Sequence, residues 1–260
     1  MKSFLQDIYF VAWRELKHFT GQPARIIMMV VQPAIWLVLM GNMMSGLTNN
    51  PYSASLLGVN RYIDFMTPGI MIMTALFGGV YGGVSVIWDR RTGYLNKMLA
   101  APISRSAIPV GKMIATSVQA IFQVTVIVII ALLLGVRLAT GISGFLMILL
   151  MVALFSFAMA GISLALASVI KTHETLFAII NFLTMPLMFT SNAMFPTRAM
   201  PAWLASLSRW NPVSYSVEPL RALVIQGWLW DKIIQGIVFV GVFSLVMVLI
   251  ATRQFNKSIA

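Results

Sequence analysis

Six long stretches of this 260-residue chain contain no Asp, Glu, Lys or Arg, and they limit the fold more than any other feature. A helix needs about 20 consecutive apolar residues to cross the hydrocarbon core of a bilayer, and a spanning segment must satisfy its backbone hydrogen bonds internally. Each stretch meets that length, so the sequence predicts an all-α polytopic membrane protein. The charge-free stretches are 26–60, 65–88, 113–136, 138–170, 175–197 and 233–252.

The composition agrees with a membrane protein. Charged residues make up 10% of the chain, hydrophobic residues 59%, and the mean hydropathy is +0.89, whereas a soluble domain averages about 25% charged residues. The absence of cysteine excludes disulfides, thiol catalysis and cysteine metal sites. The basic residues behind the formal charge of +11 flank the apolar stretches, which indicates topology signals and anionic lipid headgroups rather than a nucleic-acid partner.

We predict a single transmembrane domain over residues 1–260 with six spans. The apolar stretches give the spans, and polar or broken segments connect them. The predicted spans are 26–47, 65–88, 113–134, 144–170, 175–195 and 233–251; the other segments are a surface helix at 1–25, a polar loop at 89–112 and an outer segment at 196–231.

The N-terminal segment carries a helical pattern before the first span. One face is apolar, and the opposite face holds most of the charged residues. This pattern favours an amphipathic interfacial helix on the membrane surface; the alternative is an ordinary solvent-facing helix packed against another domain. The apolar face consists of Phe4, Leu5, Ile8, Ala12, Leu16 and Phe19.

The Lys and Arg residues indicate the orientation of the spans. If both termini are cytoplasmic, 12 of the 18 basic residues fall in inner segments and six in outer segments. Because short cytoplasmic loops carry an excess of Lys and Arg, we expect both termini to be cytoplasmic.

The outer segment before the last span is apolar but broken. Four prolines interrupt it, and four tryptophans suit anchoring at the depth of the lipid headgroups. Two short helical runs, 202–210 and 214–230, lie between the prolines. We predict a re-entrant segment that dips into the outer leaflet without crossing it; the alternative is a folded extracellular cap.

Several kinds of catalytic and cofactor site are missing from the sequence. There is no G-x-x-x-x-G-K-[ST] phosphate loop, because Gly111-Lys112 lacks the upstream glycine and the following Ser or Thr. Two histidines are too few for a histidine metal cluster. No carboxylate lies at the centre of a span, which disfavours transport driven by protons or sodium. We therefore expect no enzyme activity, catalytic residue, metal or cofactor in this chain.

The polar loop between the second and third spans contains one short amphipathic helical pattern. Such a helix suits docking in a groove of a partner protein; the alternative is a charged loop whose apolar side chains rest on lipid. The apolar face is formed by Tyr94, Leu95, Met98 and Leu99, and Pro102 ends the helix.

Two blocks of sequence resemble a known family, the ABC type-2 permeases, and most closely its branch of antibiotic exporters of the daunorubicin type. Many relatives have an acidic residue before the loop proline, where this chain has Asn96 and Lys97. The first block runs from Asp89 to Lys112 and includes Thr92-Gly93, Pro102, Arg105-Ser106-Ala107 and Gly111-Lys112; the second comprises 185–196, 200–204 and 210–214.

The resemblance implies the membrane half of an ATP-driven exporter in the inner membrane of a prokaryotic cell. Two permease subunits, as a homodimer, would pair with two copies of an ABC ATPase, which would hold ATP and Mg²⁺. The substrate would be a hydrophobic or amphipathic small molecule of drug-like character. A cytoplasmic coupling helix in the loop would contact the ATPase through Thr92, Gly93, Tyr94, Leu95, Met98, Leu99, Pro102 and Arg105.

The translocation path would lie between the two permeases. Met and Phe side chains suit varied apolar molecules, and a buried amide needs a hydrogen-bond partner; the alternative for each Met or Phe is ordinary packing or lipid contact. The candidate lining residues are Met71, Phe77, Asn181, Met185, Met188, Phe189 and Asn192. In the re-entrant segment we single out Asn211 and Pro212, and Glu218 with Arg221 as a local helix pair or, alternatively, a gate.

Small and amide residues in the spans give two further predictions. Ala75, Gly79 and Gly83 recur at four-residue intervals, which allows helices to approach closely. Tight packing within the subunit is favoured, and a hinge in the path is the alternative. Gln119 and Gln123 lie one turn apart in the third span and are candidates for hydrogen bonds between helices.

Other functions stay open from the sequence. The exported substrate could be a lipid or a lipid-linked polysaccharide, because the sequence gives neither the width nor the basicity of the path. A membrane-embedded enzyme would need a cluster of polar catalytic groups at depth, which the spans lack. A membrane scaffold that performs no transport is disfavoured by the resemblance of the loop to a coupling helix.

Overall fold

A computed structural model describes residues 2–48, 59 and 61–259, and it confirms the all-helical prediction. Every regular element in this part of the chain is a helix. The elements are α1 (Lys2–Thr20), α2 (Pro23–Met43), α3 (Ser45–Thr48), α4 (Tyr62–Arg91), α5 (Tyr94–Ala100), α6 (Ala107–Leu133), α7 (Gly141–Val169), α8 (His173–Phe189), α9 (Ala202–Trp210), α10 (Pro212–Arg221) and α11 (Trp230–Ile259), with a 3₁₀ helix at Thr197–Ala199 and a π-helical turn at Ala222–Gln226.

Five of the described helices, α2, α4, α6, α7 and α11, are long and apolar enough to cross a membrane. The fifth predicted span, 175–195, corresponds to α8, which has 17 residues and ends six residues earlier. Seventeen residues rise about 26 Å, against about 30 Å of hydrocarbon. The hydroxyls of Thr190 and Ser191 donate back to the carbonyls of Pro186 and Met188, at 2.7 Å each, and the chain turns there.

The centre of the bundle is α7, which packs against α4, α6 and α11. Its side chains Met151, Val152 and Phe155 are fully buried. In the apolar segment of α4, 78% of the residues are buried, whereas in that of α2 only 11% are buried. The first spanning helix therefore lies at the periphery and turns most of its apolar surface outward.

The small residues of α4 give close contact with α7, which confirms the prediction of tight packing within the subunit. A Cβ at Gly79 would lie 2.5 Å from the Cβ of Met159, and a Cβ at Gly83 would meet the backbone of Ser163 even more closely. The amide of Gly83 also donates to Ser163 Oγ at 3.1 Å. Any larger residue at these two positions would displace the backbone of α7.

Replacing Gly83 with leucine is expected to destabilise the protein by about 1–3 kcal/mol, the usual cost of overpacking a close contact. The matched control is Gly241→Leu in α11, because a Cβ there would meet no atom within 4 Å. Thermal unfolding of the purified variants in detergent should give a lower midpoint for Gly83→Leu. Equal midpoints would contradict the close packing of α4 on α7.

The N-terminal helix α1 packs along α6 of the same bundle. Ile8 and Val11 are buried, and Gly111 permits the contact, since a Cβ there would lie 2.8 Å from that of Val11. Phe4 and Leu5, which belong to the apolar face predicted for contact with the membrane surface, are exposed, whereas Ile8 of the same face is buried against the bundle. Among the α1 side chains that the structure describes, residues 4–6 are exposed and Ile8 is the first buried one.

A second apolar surface of α1 faces away from the bundle. Tyr9, Phe10 and Trp13 are exposed, and the rings of Tyr9 and Trp13 stack with their centroids 6.3 Å apart. Aromatic side chains with a polar edge suit the depth of lipid headgroups. The helix thus joins the bundle by one face and offers an interfacial surface on another.

Candidate functional site

The helices gather polar residues at two ends of the bundle. We call the end where α4 finishes, together with α1, α5 and the start of α6, the basal end. The distal end is where α4 begins, with α9, α10 and the turn at residues 190–195. A salt-bridge cluster lies at the basal end, and a cavity runs from there toward the distal end.

Four charged side chains form a cluster at the basal end. Lys112 in α6 is 1% exposed, and its Nζ lies 2.6 Å from Glu15 Oε1 and 2.6 Å from Asp89 Oδ2. It also donates to Ser85 Oγ at 3.0 Å. An ammonium group has three N–H donors, so each donor of Lys112 has an acceptor on another helix.

Arg14 in α1 is the second cation of this cluster. Its Nη2 lies 2.7 Å from Asp89 Oδ1, and its Nη1 lies 3.0 Å from Glu15 Oε1. Burial alone would lower the pKa of Arg14, but the hydrogen bond and charge of Asp89 outweigh it and raise that pKa above its ordinary value. Two cations thus compensate two carboxylates, which removes most of the cost of burying either sign alone.

The cluster extends to α5 through an aromatic ring. The guanidinium of Arg14 lies 3.6 Å from the centroid of the Tyr94 ring, within the range of a cation–π interaction. Through Arg14, Asp89 and Lys112, the short helix is joined to α1, α4 and α6 at one point. A displacement of α5 would therefore act on three longer helices.

The loop after α5 is tied to the bundle at both sides. The amide of Ser104 donates to Asp7 Oδ2 at 3.0 Å, and Asn256 Nδ2 donates to Ser106 Oγ at 3.0 Å. Arg90 donates to the carbonyl of Ile170 at 3.3 Å and so satisfies the C-terminal end of α7. The loop is thus bonded to α1 and α11, and the end of α4 beside it is bonded to the end of α7.

The short helix α5 is present where the sequence predicted it, but its apolar face points inward. Gly93 has φ = 71°, a left-handed conformation that suits glycine, and it starts the helix. Leu95 and Met98, 4% and 7% exposed, pack into the core beside Phe255. Tyr94 and Leu99 are half-buried. The residues of this segment exposed to solvent are Arg91, Thr92, Asn96, Lys97, Ala100, Ala101, Pro102 and Arg105.

Replacing Lys112 with methionine is expected to cost about 3–5 kcal/mol, because it removes the buried one of the two cations that Asp89 and Glu15 share and leaves the cluster with an excess negative charge. The control Lys171→Met removes an exposed cation and should change stability by less than about 0.5 kcal/mol. The free energy of unfolding of both variants is measured in detergent. Adding Asp89→Asn to Lys112→Met should cost less than the sum of the single changes. If Lys112→Met were as stable as Lys171→Met, the cluster would be contradicted.

A cavity of about 1100 Å³ lies between α1, α2, α4, α6 and α8, and we call it the groove. Its lining follows one face of α4 from Met66 to Asp89. This length of helix rises about 35 Å, more than the roughly 30 Å of a hydrocarbon core. The groove therefore extends along the whole depth that a membrane would occupy.

Amide side chains line the middle of the groove. Gln123 Nε2 contacts Met29 Sδ of α2 at 3.4 Å, as expected of a bond between helices. The side chains of Gln32, Gln119 and Asn181 also line the groove, and each lacks a hydrogen-bond partner within the described residues. Because an unpartnered amide is costly in hydrocarbon, these positions indicate contact with water or with a polar ligand.

The structure brings together part of the predicted path. Phe77, Asn181, Met188 and Phe189 all line the groove. Met71, in contrast, is fully buried in the core cluster beside α7. Met185 and Asn192 also lie outside the groove lining. The residues that the sequence reasoning did not select include Trp36, Tyr81 and the basic Arg25.

Met185 and Asn192 fail to join the groove for different reasons. Met185 is 62% exposed on the outside of α8, where it faces lipid or a partner chain. Asn192 is 2% exposed; its Nδ2 donates to Glu218 Oε1 at 3.1 Å, and its carbonyl accepts from Arg221 at 2.8 Å.

The predicted local pair of Glu218 with Arg221 is absent from the ion pairs of the described residues. Arg221 turns toward the ring of Phe65, 3.9 Å away.

The turn at residues 190–195 lines the distal end of the groove. Gly69 allows the carbonyl of Ala193 to lie directly against α4, and the Tyr62 hydroxyl donates to the carbonyl of Met194 at 3.1 Å. Ala193 and Met194 both line the groove. A movement of this turn would open the groove at its distal end.

Asn211 and Pro212 start α10 and link it to this turn. Asn211 Oδ1 accepts from the amide of Val213 at 2.8 Å, and Pro212 occupies the first helical position. The Asn211 Nδ2 donates to the carbonyl of Leu187 and to Thr190 Oγ1, both at 2.8 Å. The end of α8 and the start of α10 are therefore fixed to each other.

These features define a multi-pass membrane protein with a groove along its second spanning helix. Residues 6–225 match the family model of the ABC-2 type transporter, and the chain belongs to that family. It is 33% identical over 235 residues to ycf38 of Cyanophora paradoxa, which is named as a transport permease, over 88% of this chain and 78% of that protein.

Two further relatives carry names that refer to drugs. YbhR of Escherichia coli K12, named as a multidrug ABC transporter permease, is 24% identical over 161 residues, which are 62% of this chain and 41% of YbhR. DrrC of Mycobacterium tuberculosis H37Rv, named as a doxorubicin resistance permease protein, is 20% identical over 163 residues, 62% of this chain and 58% of DrrC. The chain is thus a permease of the ABC-2 type.

Proposed function

We propose that this permease is the membrane subunit of an ATP-driven exporter that moves hydrophobic or amphipathic small molecules out of the cytoplasm or inner leaflet. The groove carries this proposal, because its lining spans the depth of a bilayer and combines apolar walls with unpartnered amides. A molecule with apolar and polar parts finds both kinds of surface there. The names of YbhR and DrrC agree with drug-like substrates.

The walls of the groove suit substrates of varied shape. Met28, Met29 and Met73 contribute thioethers, and Trp36 and Phe77 contribute rings. Flexible, polarisable methionine side chains adapt to different partners, so the groove does not require one rigid ligand. In a homodimer, the open side of the groove would face a second copy of the chain, and the path would lie between the two permeases.

The basal end is the proposed cytoplasmic side, and it would receive the ATPase. The segment 91–106 contains no Asp or Glu, and Arg91, Lys97 and Arg105 are exposed on it. With Leu95 and Met98 turned inward, this basic face of α5 is the surface that a partner would contact. Two ATPase subunits, which bind ATP and Mg²⁺, would dock there through acidic clefts.

Coupling would proceed through the buried ion cluster. When the ATPases close on ATP, they would displace α5, and Arg14 and Lys112 would pass that displacement to α1, α4 and α6. Because α4 lines the groove over its whole length, its movement would change access to the path. The distal turn held by Tyr62 would then open or close the exit.

Reversing the charge of the basic face is expected to weaken ATPase association. The double variant Lys97→Glu with Arg105→Glu should retain about one tenth of the ABC ATPase that co-purifies with the wild-type chain, equivalent to about 1.4 kcal/mol. The matched control is Arg198→Glu with Arg209→Glu, which reverses two exposed cations outside the basal end. The readouts are mass spectrometry of complexes purified in mild detergent and vanadate-sensitive ATP hydrolysis.

The control variant, Arg198→Glu with Arg209→Glu, should retain as much ABC ATPase as the wild-type chain. If both double variants retained the ATPase equally, the assignment of the docking face would be wrong. If the wild-type chain yielded no ABC ATPase after gentle extraction and crosslinking, the exporter proposal itself would fail.

A further inference from the structure

The charges that line the groove do not cancel. Lys112 and Arg14 are balanced by Glu15 and Asp89 in the basal cluster. The remaining ionised group is Arg25, in the first turn of α2. Among the residues that the structure describes, no carboxylate oxygen lies within 4 Å of its guanidinium.

The immediate surroundings of Arg25 offer hydrogen-bond donors and aromatic faces. The guanidinium lies 5.9 Å from the ring centroid of Phe19 and 5.8 Å from that of Tyr81. Gln22 and His18 line the groove beside it, with the Gln22 amide 3.3 Å from the His18 ring. A guanidinium cannot give up its proton in a protein, so Arg25 is a permanent cation on the groove lining, with two aromatic rings near it and no carboxylate partner among the described residues.

Beyond Arg25, the α2 wall of the groove is apolar except for the amide of Gln32. Along α2, Met28, Met29 and Trp36 follow Arg25 on the lining. Eleven residues separate Arg25 from Trp36, a rise of about 16 Å along the helix. A cation at one end and a thioether and aromatic wall of this length complement a molecule with an anionic head and an apolar body.

We propose that the groove binds amphiphiles that carry one anionic headgroup, with the headgroup at Arg25 and the apolar body along α2 toward Trp36. The guanidinium fork binds carboxylate or phosphate oxygens in a bidentate manner. That this binding selects the exported substrate rests on the proposed function. The binding itself is measured without an ATPase.

The test uses the purified full-length chain in nanodiscs of phosphatidylcholine, with empty nanodiscs subtracted. The anionic probe is 11-(dansylamino)undecanoate, and its uncharged methyl ester is the matched comparison. Trp36 and Trp88 line the groove and serve as energy donors to the dansyl group.

We expect the acid to bind about tenfold more tightly than the ester. Arg25→Gln should reduce this ratio to about one, whereas Arg25→Lys and the exposed distal control Arg209→Gln should keep a ratio above about five.

Equal binding of the acid and the ester by the wild-type chain, or binding of neither, would overturn the inference without any variant. An unchanged ratio in a folded Arg25→Gln protein would also overturn it. These results leave the ATPase co-purification untouched, so failure here is distinct from failure of the exporter proposal. Phosphatidylglycerol in the nanodiscs separates the sources of the anion: displacement of the acid assigns the site to a membrane lipid, and retention assigns it to a free amphiphile.

Discussion

The arrangement of the basal end depends on one buried ammonium group. Lys112 bonds to Glu15, Asp89 and Ser85, and so fixes α1 and α4 against α6. A lone charge at this position would be very costly to bury, and without the lysine Arg14 alone would have to compensate both carboxylates. The packing of α1, α4 and α6 at the basal end is therefore cooperative. The contact of Arg14 with Tyr94 adds α5 to the same cooperative unit.

The groove has the opposite character. Polar groups of the cluster are satisfied within the chain, which makes the basal end rigid, whereas Gln32, Gln119 and Asn181 line the groove without partners among the described residues. A satisfied network holds one geometry, and unsatisfied amides accept whatever polar group enters. This division suits a transporter in which the basal cluster transmits displacement and the groove binds and releases different molecules.

Local patterns in the sequence predicted the helices well, but not which side of a helix is covered. The helix of α5 and its stop at Pro102, the run 202–210 and the close packing at Gly79 follow from periodicity, proline and residue size. The cluster was missed because Glu15 and Lys112 are 97 residues apart, and no local pattern pairs them. Leu95 and Met98 form an apolar face that suits either a partner or the core, and only tertiary packing decides.

Cysteine accessibility along the groove tests the central claim most directly, because the natural chain contains no cysteine. Phe77→Cys and Tyr81→Cys would face the groove, while Val242→Cys and Leu249→Cys would occupy exposed positions on α11 away from it. A charged, water-soluble thiol reagent should label the first pair rapidly in intact membranes and leave the second pair unlabelled. Equal protection of all four cysteines would contradict a hydrated path along α4.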